Sequence, residues 1–295
     1  SAVNTYYENQ DLSGEVDNVY GQRYYNLCQQ MCKTIKLSQR GQEVDTTYEQ
    51  REFAKQLLKR GEALRRDEEA AAVSRNAATA EVAATSGALM AGMATWAIHN
   101  TQRGAGGADA VLDGATNVGG GPTTAPAAGN KRAITETMMR TAIRSGWDDG
   151  ARFSHLMSTG TMIETISNYL FTSSARVATL ESEVSQGNRK GAGDGNGAGA
   201  GGVVAQGSVN MFVGNYGTII LTPNRQMSTY TAADTGDVVD VLLFDKRYPT
   251  MCYLNGYKTQ PISANGLYKQ TTLYVDSTFI PGATRSITTI ADITP

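Results

Sequence analysis

The stretch from Thr46 to Arg75 constrains this chain more than any other. Its spacing predicts a single helix of about eight turns, and nearly half of its residues are charged. Thr46 can cap the first turn, and Glu49 follows at the capping-box offset. Phe53, Leu57, Leu58, Leu64 and Ala71 recur with helical period and predict one narrow apolar stripe. Most other positions are charged, with Arg60, Glu62, Arg65, Arg66, Asp67, Glu68 and Glu69 concentrated in the second half. Glu62 and Arg66 stand in the favourable i,i+4 order, Arg65 and Glu69 in the reverse one. A helix this polar does not belong inside an enzyme core. It predicts a strut, seated by one seam on its own sheet, with the other faces open to water or to neighbouring subunits.

The 295-residue chain is large enough for one elaborate domain or two simple ones. A net charge of −2 does not by itself single out a nucleic-acid binder. No apolar run approaches the ~20 residues needed to cross a bilayer, and the opening SAVNTYYENQ is too polar for a signal peptide. The sequence opens on Ser1 rather than Met, so Ser1 is expected to be a processed or truncated start. Cys28, Cys32 and Cys252 are odd in number and form no disulfide framework, which fits a reducing or indifferent compartment.

Residues 1–45 read as extended. Tyr20, Tyr24, Cys28 and Cys32 repeat every four residues and would share one face of a strand. After the long helix, AATAEVAATSGALMAGM is either flexible or tightly packed. Gly and Pro argue against regular structure across most of the segment from Thr101 to Arg132. Thr135 caps a second helix running to about Trp147, with Gly146 and Gly150 marking its end. FSHLMST predicts a short strand and TMIETISNYLF a third helix. Residues 186–202 form a low-complexity glycine run. The rest predicts β structure: a hairpin turning near Asn215–Gly217, the buried strand DVVDVLLFD, a long hairpin turning at Ser263–Gly266, and the closing strand SITTIADI. The class is α+β.

Residue patterns that carry chemistry are sparse. His99 and His155 are the only histidines, and neither lies in a nucleophile–base motif. Cys28 and Cys32 lack a second pair at zinc spacing and read as packing residues. The G-x-G matches near residue 191 lack the strand and helix that a dinucleotide site requires. Asp67, Glu68 and Glu69 beside Arg65 and Arg66 read as a solvated or inter-subunit ion-pair patch. No catalytic residue, cofactor or metal is expected, and a chain that spends its polar residues this way is more often structural than catalytic.

The order of parts carries a resemblance. A charged helix runs into EAAAVSRNAA. Trp96–Gly107 follows, then AITETMMRTAIRSGWDDG, the turn Thr222–Met227, and the long strands of DVVDVLLFDKRYPTMCYLNGYKTQPISANGLYKQTTLYVDSTF. This resembles the major capsid proteins of tailed bacteriophages, in particular a podovirus-like family with the Hong Kong 97-type (Johnson) fold. The resemblance implies an extended loop or N-terminal segment over 1–45 and a spine helix of a peripheral domain over 46–84. It implies an axial domain over 85–245 carrying the 186–202 insertion, peripheral-domain strands over 246–282, and a return to the axial domain over 283–295.

The implied role is structural: a virion shell enclosing phage double-stranded DNA. The implied partners are the chain itself in pentamers and hexamers, portal and decoration proteins, and packaged DNA held without sequence preference, with no membrane. Assembly would take place in the host cytoplasm. The inter-subunit contact candidates are Tyr6, Tyr7, Tyr20, Tyr24 and Tyr25 of the extended segment, Arg60, Arg65 and Arg66 of the helix, and Asn265 of the hairpin turn. Tyrosine suits such contacts because it joins a flat apolar body to a polar tip. Two alternatives are a nanocompartment shell of the same fold, enclosing an enzyme cargo, and a small-molecule enzyme with its site near His99 or His155.

Overall fold

The computed structural model describes residues 24–43, 52–83, 85–113, 120–171, 211–214, 216–227, 229–263 and 266–295. The expected caps at Thr46 and Glu49 and the glycine run 186–202 lie outside these residues. In chain order the strands are β1 (Gln29–Ser38), β2 (Val111–Asp113), β3 (Gly121–Thr124), β4 (His155–Ser158), β5 (Met211–Gly214), β6 (Gly217–Pro223), β7 (Tyr230–Thr231), β8 (Asp237–Phe244), β9 (Thr250–Ile262), β10 (Tyr268–Ile280) and β11 (Ile287–Ile293). The helices are α1 (Gln39–Glu43), α2 (Glu52–Val73), α3 (Met93–Trp96), α4 (Glu136–Asp148) and α5 (Gly160–Phe171).

The long strands form an antiparallel sheet in the order β1-β10-β9. Strand β1 pairs with β10 along its whole length, from Gln29↔Ser277 to Ser38↔Tyr268. Gln29–Ser38, within the segment that reads as extended, is thus a strand of its own subunit's sheet. The buried face differs from the one expected. Met31 and Ile35 are buried, whereas Cys28 and Cys32 are exposed. Lys33 lies between the two buried residues and forms an ion pair with Asp67 of α2. Its stem covers apolar surface while its amine reaches the helix.

Helix α2 crosses this sheet on a seam of Leu57, Gly61, Leu64, Glu68 and Ala71. Leu64 is fully buried, and a side chain on Gly61 would meet Leu273 of β10 at 3.7 Å. Leu58 lies off the seam and is 71% exposed, which corrects its assignment to the apolar stripe. It follows Leu57 by one residue, and about 100° of helical rotation carries it away from the sheet. The Glu62–Arg66 pair is not an ion pair either: Arg66 Nε donates to the Glu62 backbone carbonyl at 3.4 Å.

The second sheet has the order β11-β8-β4-β6-β5, with β7 also paired to β8. All pairings are antiparallel except β4–β6. Strand β8 has both faces covered. Val239, Val241 and Leu243 join a core with Met139 and Ile143 of α4, Met162 and Ile166 of α5, and Ile290 and Ile293 of β11. Leu242, on the opposite face, joins a core with Leu64 and Val73 of α2, Trp96 of α3, and Leu273 and Val275 of β10. The alternation of one strand thus ties the two cores together.

The small-residue segment after α2 divides: its described residues from Thr79 to Gly87 are exposed, whereas every residue from Met90 to Ala97 is buried. A Cβ on Gly92 would lie 2.3 Å from the Ser74 carbonyl, so only glycine fits there. Among the described residues, the long Gly/Pro segment contains one regular piece, the pairing of β2 with β3. Thr135 caps α4 as its sequence predicts, accepting from the Met138 N–H at 3.3 Å. Gly146 does not end that helix. It is a close-approach site, where an added Cβ would come within 2.1 Å of the Phe153 ring. The terminating glycine is Gly150, with φ at +84°. Among the described residues, no helix is long and apolar enough to cross a membrane.

Candidate assembly surfaces

The α2 side of the molecule leaves much of its apolar surface uncovered. Strand β9 is an edge strand, and Tyr253, Leu254, Tyr257 and Ile262 along it are exposed, Leu254 by 73%. Leu267 at the hairpin end is 82% exposed. The register slips twice along β9, between Lys258 and Asn255 and again between Asn255 and Tyr253. Bulges of this kind twist an edge strand and interrupt the ladder that a wrong partner would extend. Large apolar side chains left exposed along an edge strand and at its hairpin end make this a candidate interaction surface.

Tyrosines and charges are interleaved where α2 meets β9. Glu68 is buried, and the Tyr257 hydroxyl donates to its Oε2. Burial, that hydrogen bond and the Glu68 charge all push the Tyr257 hydroxyl's pKa up. Tyr253 is raised as well, by burial and by the Glu68 charge. The Arg65 guanidinium lies 5.6 Å from the Tyr257 ring centroid. The expected acidic patch is therefore divided: Asp67 pairs with Lys33, Glu68 is buried against tyrosine, and Glu69 is exposed.

Of the contact candidates, Arg60, Arg65 and Arg66 all lie on the exposed side of α2. Tyr24 and Tyr25 are exposed at their edges but touch their own chain. Tyr24 meets Trp96 edge to face at 6.2 Å, and the Tyr25 N–H donates to the Gly120 carbonyl at 2.9 Å. Tyr6, Tyr7, Tyr20 and Asn265 lie outside the described residues.

Sequence reasoning missed a buried polar network that fastens the segment from Thr101 to Ile134 to the sheet. The Tyr230 hydroxyl donates to Asp240 Oδ1 at 2.7 Å and accepts the Asp292 N–H at 2.8 Å. Arg75 stacks 3.7 Å over the Tyr230 ring, and its Nη1 reaches Asp240 at 3.4 Å. Burial raises the Asp240 pKa, and the nearby Arg75 charge opposes that rise. Asp292 adopts φ +60° and its Oδ2 accepts the Gly104 N–H at 2.9 Å. Arg132 donates to the Ala291 carbonyl at 3.2 Å. The sequence did carry a signal for this network: an aspartate within DVVDVLLF and another within ITTIADI must each find partners once the strand is buried.

His155 has local partners. His155 Nδ1 lies 2.9 Å from the neighbouring Ser154 Oγ, and its ring stacks on Phe244 at 5.6 Å. Burial lowers the pKa of both histidines; Arg285 lowers His99 further, and Lys246 lowers His155 further.

The sequence profile described as SU10 major capsid protein matches residues 2–294. The chain belongs to the SU10 major capsid protein family. Among curated proteins, none matches it. Solved structures also resemble the chain. A chain of the holo-SrpI encapsulin complex from Synechococcus elongatus PCC 7942 superposes with a TM-score of 0.50 at 8% identity, over 90% of this chain and 74% of that one. A satellite phage P4 procapsid chain, solved with its size determination (Sid) protein, gives 0.49 at 8% identity over 100% and 81%. A chain of Gordonia phage Cozz gives 0.48 at 11% identity over 99% and 79%. At such identities the likeness speaks to fold alone, and only the first is close enough to argue from. This SU10-family capsid protein has the Hong Kong 97-type fold. Its role is structural: copies of the chain build the capsid shell of a virion.

Proposed function

We propose that this capsid protein closes as pentamers and hexamers into an icosahedral shell around double-stranded DNA. Portal and decoration proteins join it, and assembly takes place in the host cytoplasm. The carrying observation is the exposed apolar face of β9 and the hairpin end, with Leu254 and Leu267 mostly uncovered in the single chain. Copies of the same chain are the natural cover for such a face in a symmetric assembly.

In this reading α2, β1, β9 and β10 form the peripheral domain, and the sheet of β4, β5, β6, β8 and β11 with α4 and α5 forms the axial one. Residues Met90–Ala97 go with the peripheral domain, because they pack against α2. Arg60, Arg65 and Arg66 face neighbours across α2, the tyrosines Tyr6, Tyr7, Tyr20, Tyr24 and Tyr25 supply contacts from the N-terminal segment, and Asn265 lies at a three-fold meeting point. No catalytic step is assigned to the chain.

Electron microscopy of purified particles, with a nuclease-protection assay for enclosed DNA, tests the reading. Closed shells holding duplex DNA are expected. Closed shells filled with protein would favour a cargo compartment, and material sedimenting only as monomers or dimers would overturn assembly altogether.

A further inference from the structure

One end of the β8 sheet holds a pocket lined by charged and aromatic side chains. It has a volume of 430 Å³ and opens where three connections meet: residues 152–155 leading into β4, 216–218 leading into β6, and 245–247 leaving β8. Strand β4 pairs with β6 on one side and β8 on the other, so the three connections leave adjacent strand ends. The Lys246 N–H donates to Ser154 Oγ at 3.1 Å, which fixes two of them together.

The charged lining consists of Arg152, Lys246 and Arg247 against a single carboxylate, Asp245. That carboxylate is already committed. Arg247 donates to it through Nε at 3.0 Å and through Nη2 at 2.5 Å, and the Asp245 side chain is only 3% exposed. Among the described residues, neither Arg152 nor Lys246 is in an ion pair, and both side chains are exposed. The lining is therefore net positive. The shifts agree with this: Lys246 lowers the His155 pKa, and Arg152 adds to the lowering of the Asp245 pKa that the Arg247 hydrogen bond dominates.

Aromatic rings lie in and beside the pocket. Tyr216 lines the pocket and lies 5.7 Å from Trp147, which is 46% exposed, and Arg247 lies 5.5 Å from the Tyr248 ring centroid. A guanidinium and an ammonium converging on a concave, partly aromatic site suit a tetrahedral oxyanion.

We propose that this pocket binds a phosphate group, supplied either by the backbone of enclosed nucleic acid or by free phosphate. The backbone source rests on the DNA-enclosing role proposed above, whereas the pocket chemistry does not.

The test compares the full chain with the double variant Arg152→Gln/Lys246→Gln, titrated separately with inorganic phosphate and with a short DNA duplex. The chain has two tryptophans, and Trp96 is buried, so fluorescence changes report Trp147 beside the pocket. The native chain should bind at least one probe. The double variant should bind it about tenfold more weakly, with a salt slope reduced by roughly one to two. A Lys246→Arg variant should keep its binding, and an unchanged melting temperature will show that the double variant is folded.

Binding of phosphate alone identifies free phosphate as the source, and binding of duplex identifies the backbone. A native chain that binds neither probe, or a double variant that binds as tightly as native, overturns the proposal. Particles that protect DNA while the variant binds normally would sink the pocket and leave the DNA role intact. Phosphate binding by a chain whose particles hold no DNA would do the reverse.

Discussion

Strands β8 and β9 belong to the same subunit yet have opposite fates. Strand β8 is buried from Val238 to Val241 and on through Leu243, between β11 and β4, with a core on each face. Strand β9 is exposed over most of its length, sits at a sheet edge and carries two register slips. The first belongs to a unit that completes its own packing. The second belongs to a layer in which one helix and one sheet are too thin to cover each other. Folding of the subunit should therefore depend on the β8 side, and assembly on the β9 side.

The sharpest way to break this division is Ile290→Ala in β11. Ile290 is fully buried in the β8 core. Its truncation should cost about 2–5 kcal/mol of subunit stability in denaturant unfolding. A loss below about 1 kcal/mol would mean that the β8 side repacks freely and is no more demanding than the β9 side.

Gly146→Ala should come next. The new methyl would clash with Phe153, at a cost of about 1–3 kcal/mol, partly offset by the roughly 1 kcal/mol that alanine gains over glycine in a helix. A melting temperature below native is expected, with recovery when Phe153→Leu is added. A rise in melting temperature from the single change would show that the contact between α4 and Phe153 is loose.

Tyr257→Phe probes the seam between α2 and β9 within the β9 side. It leaves the buried Glu68 carboxylate without the tyrosine hydroxyl that donates to it, which should cost about 1–2 kcal/mol. Pairing it with Glu68→Gln in a double-mutant cycle measures the coupling directly. A coupling of zero would mean that the Tyr257 hydroxyl and the Glu68 carboxylate contribute independently.

The smallest folding effect and the largest separation of the two regions are expected from Leu58→Ser and Leu267→Ser. Both side chains are mostly exposed in the subunit, so each change should alter folding stability by less than about 0.5 kcal/mol. Shell yield by sedimentation should nonetheless fall. If yield is unchanged, these leucines face solvent in the shell and the exposed layer is not their interface.

Much of this architecture was legible before any coordinate. The period of α2, the cap at Thr135, the buried run of β8 and the paired long strands are local patterns, and each reports the surroundings its residues need. The order of these parts also carried the capsid resemblance. The errors arose where a local pattern was compatible with more than one partner. Cys28 and Cys32 share a spacing with two tyrosines, yet Met31 and Ile35 face α2, because that helix crosses the other side of the strand. Gly146 has the composition of a helix stop, but Phe153 packs against it and leaves no room for a side chain. In the buried network, Asp240 and Asp292 announced only a need for partners. Tyr230, Arg75 and the Gly104 N–H, distant in sequence, could be identified only once the chain had folded.

The sequence by itself determined that this chain builds a polar strut, a buried central strand and a long hairpin in a fixed order, because hydrophobic period and turn chemistry are properties of neighbouring residues. The tertiary structure alone decided which face of β1 is covered, which arginines remain exposed, and that three connections bring Arg152, Lys246 and Arg247 to one pocket. Those outcomes depend on how strands far apart in the chain pair and on which surfaces the packed elements leave open.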